Sequence, residues 1–155
     1  MPTADKITTL TKEQITEIAD QLDCGNRGFV NRQSGRLLFT PDFDNGYADE
    51  EFYAVELEEL ENNFSDYIEI ERPNSSNSFE IMANFTDQIG DNNNLKDELT
   101  KALNNKKPFR EFKIVIDNSG VYRQQWFDFK NTQLKQWVID KFREATYADR
   151  ENGSS

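Results

Sequence analysis

The sequence predicts an α+β fold, on three observations. A short hairpin signal lies near the N-terminus, an apolar–acidic alternation runs over Tyr67–Glu71, and helical apolar periodicity fills the C-terminal half. The expected architecture is a small antiparallel sheet of about three strands, packed with five or six helices. A chain of 155 residues fits one domain with a respectable core. That domain is expected over 10–147, with flexible segments at 1–9 and 148–155.

The first helix is set by Thr11, which with Gln14 matches the Ser/Thr-x-x-Glu/Gln capping box. About a dozen residues follow, with Ile15, Ile18, Ala19 and Leu22 on one face, and Cys24-Gly25-Asn26 ends the helix. Gly28–Arg32 and Arg36–Thr40 then read as hairpin strands around Gln33-Ser34-Gly35, where Gly35 suits the left-handed position of a three-residue loop. Pro41 closes the second strand.

Asp42-Phe43-Asp44-Asn45-Gly46 resembles the start of a calcium loop, but the spacing is wrong. With Asp42 as position one, the glycine falls at five and position twelve is Tyr53, which cannot chelate. An ordinary acidic turn is the expectation. Ala48–Asn63 reads as an acidic helix with six Glu in twelve residues and an apolar stripe of Phe52, Val55, Leu60 and Phe64. Tyr67–Glu71 is the third strand.

Ser78–Ile89 reads as a helix with Phe79, Met82, Phe85 and Ile89 inward. A shorter helix carries Leu95, Leu99, Ala102 and Leu103, closed by Asn104-Asn105. The stretch Pro108–Phe142 holds both tryptophans and five of the twelve phenylalanines, and should form the main wall of the core. Pro108 suits a first helical turn, and Phe109, Phe112 and Ile116 recur on one face. The β-branched Lys113–Asp117 run also permits a strand, but the apolar face reaching back to Phe109 favours the helix. Asn118-Ser119-Gly120 reads as a stop and a fresh start, with Ser119 as a cap. The last helix then presents Tyr122, Trp126 and Phe129, continued by Leu134, Trp137, Val138 and Phe142.

The chemistry missing from the sequence narrows the function classes. No histidine is present, so His-based triads and imidazole metal ligation are excluded. Cys24 has no histidine to activate it and reads as a small buried residue near a helix end. Neither a glycine-rich phosphate loop nor a CxxC pair occurs. No catalytic, cofactor or metal residue is therefore assigned, and no cofactor is expected. A carboxylate enzyme would need acids gathered from separate segments, such as Asp44 and Glu80. No apolar run approaches the roughly 20 residues of a membrane span, and no secretory leader is evident. With a single cysteine, these features point to the cytoplasm.

Charge is unevenly distributed. The net charge is −11, and Leu37–Glu71 carries twelve Asp or Glu with no Lys or Arg. Lys101–Arg150 carries eleven Lys or Arg against six acids. The acidic stretch offers Glu50, Glu51, Glu58 and Glu61 as candidate contacts for a basic protein partner. A basic C-terminal face of Arg110, Lys113, Arg123 and Lys130 near Trp126 and Phe127 is the alternative, directed at nucleic acid. The acidic balance, with a pI near 4.5, disfavours it. Solvated helix faces account for both patterns without any partner.

Several segments together resemble a known family. These are Ser78-Phe79-Glu80-Ile81-Met82 through Phe85, Leu99 with Ala102-Leu103, Pro108-Phe109-Arg110-Glu111-Phe112-Lys113, and Trp126-Phe127-Asp128-Phe129-Lys130. The chain resembles, over about Leu10–Phe142, a bacterial uncharacterised protein family, number one-five-eight in its series. The resemblance implies a helical C-terminal half. It implies no activity and transfers no functional residue.

Overall fold

The computed structural model describes residues 8–43, 49–90 and 93–153. Its elements divide into two compact units. One comprises the described residues up to Arg72 with those from Leu134 onward; the other is Pro73–Gln133.

In the first unit, α1 (Lys12–Asp23) begins at the capping box expected from sequence. The Gln14 amide donates to the Thr11 hydroxyl at 3.1 Å, and the Thr11 amide to Gln14 Oε1 at 3.0 Å. Gln14 also donates from Nε2 to the Gly35 carbonyl at 2.9 Å, tying the helix start to the hairpin turn. β1 (Asn26–Asn31) and β2 (Leu37–Pro41) pair antiparallel with Phe29 opposite Leu38. Asn31 Oδ1 accepts from the Gln33 and Ser34 amides, each at 3.0 Å, and Gly35 has φ +77°. The turn therefore needs both the Asx side chain and the left-handed glycine.

β3 (Tyr67–Ile70) pairs antiparallel with the other edge of β1, giving the order β2-β1-β3. Because side chains alternate across a strand, the sheet serves two clusters. Val30, Ile68 and Ile70 pack with Ile18, Ala19 and Leu22 and with Leu134, Val138 and Phe142. Phe29, Leu38 and Tyr67 pack with Leu60. The acidic segment supplying Leu60 is not one helix. It is a 3₁₀ turn, Glu50–Tyr53, followed by α2 (Ala54–Asn62) and a second 3₁₀ turn, Phe64–Asp66.

In the second unit, α3 (Ser75–Gln88) starts at a capping box of Asn74 with Asn77, three residues earlier than the apolar pattern indicates. α4 (Asn93–Leu103) and α5 (Pro108–Asp117) follow, and α6 (Val121–Gly153) begins in this unit. Residues 113–117 are helical, resolving the strand alternative: the Phe109–Ile116 periodicity outweighs β-propensity because Phe112 and Ile116 both reach the core. That core joins Met82, Phe85, Leu95, Leu99, Ala102 and Trp126. Trp126 is its hub, with ring centroids 5.3 Å from Phe85 and 4.9 Å from Phe112, both edge-on.

Several expectations are corrected. Ser119 does not cap α6; its hydroxyl donates to the Ile116 carbonyl at 2.6 Å and closes α5, while Gly120 supplies the break at φ +65°. The aromatic and aliphatic positions of α6 do not form one stripe. Trp126 belongs to one cluster and Leu134, Val138 and Phe142 to another. At 3.6 residues per turn, Trp126 and Val138 lie about a third of a turn out of phase. Phe79 and Phe109 were expected inward, yet they remain 36% and 44% exposed. Cys24 is exposed, not buried. α6 continues to Gly153, beyond the Tyr147 end expected from composition.

Candidate functional site

The acidic segment places its four candidate carboxylates on the surface. Glu50 and Glu51 sit on the 3₁₀ turn, Glu58 and Glu61 on α2, and all four are exposed. Among the described residues none of the four forms an ion pair. Asp49 holds the entry to the turn, accepting from the Glu51 amide at 3.0 Å. The predicted apolar stripe divides here. Leu60 is buried, but Phe52 is 85% exposed, Val55 69% and Phe64 71%. Spacing along one continuous helix predicts burial for all of them, but Phe52 precedes the change from 3₁₀ to α at Tyr53–Ala54, Phe64 lies on the second 3₁₀ turn, and Val55 stands five residues, about 140° of helix, from Leu60. The result is a surface of large apolar side chains set among carboxylates.

Glu59 differs from its neighbours. It accepts from the Tyr67 hydroxyl at 2.7 Å and from Asn63 Nδ2 at 2.9 Å, and Arg36 stands 3.9 Å away. The Tyr67 and Asn63 hydrogen bonds, aided by the Arg36 charge, hold its carboxyl below the ordinary glutamate range. Burial, then the Glu59 hydrogen bond, pushes the Tyr67 phenol up. This pair fastens α2 to β3. Charge density alone gives Glu59 no role, because its partner Tyr67 lies on a different element.

The basic residues are distributed over two helices. Arg110 and Lys113 are exposed on α5. Arg123 and Lys130 flank Phe127 on α6, with Arg123 Cζ 4.8 Å and Lys130 Nζ 5.3 Å from its ring centre. Arg123 also pairs with Asp117 at 3.3 Å. Trp126, expected beside them as a stacking surface, is buried at 9% exposure.

Other candidates offer less. Among the described residues no group of three or more His, Cys, Asp or Glu is placed to hold a metal ion. Asp44, Asn45 and Gly46 of the acidic turn lie outside the described residues, and with Asp44 goes its suggested pairing with Glu80, which is exposed on α3. A shallow depression on α1 is lined by Lys12, Glu13, Thr16, Glu17, Asp20 and Gln21, the polar positions of an amphipathic helix. No described helix is long and apolar enough to cross a membrane.

Comparison with known proteins gives a family and nothing nearer. No curated protein and no solved structure matches at a significant level. The model of the Uncharacterised protein family UPF0158 matches residues 6–151, nearly the whole chain, and covers both units. The mostly helical C-terminal half agrees with what that resemblance implied, and the three-stranded antiparallel sheet with the hairpin and alternation read from the residues. The chain belongs to the uncharacterised protein family UPF0158.

Proposed function

We propose that this chain is a non-enzymatic protein-interaction or regulatory module of the cytoplasm, engaging a basic protein surface through Glu50–Glu61. One observation carries the reading: Glu50, Glu51, Glu58 and Glu61 are exposed together with Phe52, Val55 and Phe64 on one continuous segment. Carboxylates steer a basic partner at long range, and large exposed apolar side chains supply the short-range desolvation that holds it. Exposed apolar residues scattered singly need no explanation, but three on a fifteen-residue stretch with this charge do.

The test is affinity capture from the cell's own extract, with and without nuclease, at low and high salt. A protein partner presenting a basic surface, retained after nuclease and lost at high salt, is expected, with capture reduced by E58Q/E61Q. Binding insensitive to salt and to these substitutions would overturn the reading.

The nucleic-acid alternative on Arg110, Lys113, Arg123 and Lys130 draws less support. Trp126 is not available for stacking, and Asp117 stands beside Arg123. Nucleic acid recovered only without nuclease would favour it.

A further inference from the structure

We infer that the partner of the acidic–apolar surface is a second copy of this chain, presenting the outer face of α5. The inference rests on the acidic-segment reading and names its occupant.

The observation is a complementary surface within the same molecule. α5 buries Phe112 and Ile116 but exposes Phe109 at 44% and Ile114 at 47%. Arg110 and Lys113 lie beside them: Lys113 follows Phe109 by four residues and Ile114 follows Arg110 by four, so cations and apolar groups adjoin along one outer face. Lys106 and Lys107, both exposed, extend this charge just before the helix. Of the acids of α5, Asp117 is engaged by Arg123 and Glu111 is half-buried. The acidic segment has the inverse character, with Glu50, Glu51, Glu58 and Glu61 and with Phe52, Val55 and Phe64 all exposed within residues 50–64. Four cations with two large apolar groups face four anions with three.

Such a contact joins two different surfaces. It either closes as a ring or a reciprocal dimer or continues copy to copy. It is also salt-sensitive, because the opposed charges lie at exposed positions.

The test is sedimentation of the purified full chain over a dilution series, at about 50 mM and about 500 mM salt. The mass is expected to rise above 18.1 kDa with concentration at low salt and to fall back at high salt. E58K/E61K and R110E/K113E should each weaken association by about tenfold or more. Mixing these two variants should restore it, since each then offers the face its partner needs. Circular dichroism of each variant checks that it is folded.

A monomer at every concentration in low salt overturns the inference, as does association unaffected by the reversals or not recovered on mixing. A monomer that still captures a basic protein in an E58Q/E61Q-sensitive way removes only the second copy and leaves the acidic-segment reading. Loss of both results removes both.

Discussion

The Trp137 indole N–H donates to the main-chain carbonyl of Glu71 at 2.7 Å, across 66 residues of sequence. It anchors α6 to the end of β3, beside Arg72, whose Nε donates to the Leu22 carbonyl at 3.1 Å. Trp137 thus combines a half-buried apolar ring with a satisfied polar edge. W137F keeps most of the ring and deletes the donor. It should lower stability by about 1 kcal/mol, or about 2–4 °C in melting temperature, measured by urea and thermal unfolding.

The phenylalanines should separate sharply by position. F112A removes a ring that is 2% exposed and touches the Trp126 hub, and should cost about 3–5 kcal/mol. F52A removes a ring that is 85% exposed and should stay within about 0.5 kcal/mol of the parent. Equilibrium unfolding of the two variants gives both values. A large loss for F52A would mean that the ring packs in solution.

The Glu59–Tyr67 pair predicts a dependence on pH at both extremes. Glu59 has its folded pKa depressed, so its contribution is present above the unfolded value and is lost as pH falls through the folded one. Tyr67 has its folded pKa raised, so its contribution is present below the unfolded value near 10 and is lost as pH rises through the folded one. Y67F removes the hydroxyl that Glu59 accepts, so the Glu59 carboxyl should titrate at higher pH. NMR titration of its side-chain carbon measures this directly, and an unmoved Glu59 would show that the bond is not formed.

Asn74 and Thr11 make equivalent caps on unrelated helices. N74A and T11A should each cost about 1 kcal/mol, with the corresponding glycine substitutions milder by several tenths. Chemical denaturation is sufficient to rank them.

The two caps also mark what could be read in advance. Thr11 with Gln14 is the familiar capping pattern, and α1 starts where it indicates. Asn74 with Asn77 does the same work with two asparagines, a pair outside the Ser/Thr-x-x-Glu/Gln pattern, and the apolar periodicity alone starts α3 at Ser78. The hairpin was legible because Gly35 and the residues around it are local determinants. The exposure of Phe52 and Phe64 was not, since both lie on 3₁₀ turns flanking α2 that spacing alone does not encode. The four outer glutamates could be nominated from charge density. The role of Glu59 is set by the position of Tyr67 in three dimensions.

The order in which the residues are joined has a bearing on synthesis. Pro73–Gln133 is a continuous stretch, whereas the other unit is interrupted by it. Val30 and Ile68 leave the ribosome well before Leu134, Val138 and Phe142, which complete their cluster. Arg32 likewise waits for Asp149. During translation, the inserted stretch has all its own core residues while the N-terminal sheet still lacks one wall. A nascent chain stalled before Leu134 would expose the sheet face carrying Val30 and Ile70, making that interval the one most in need of a chaperone's shelter.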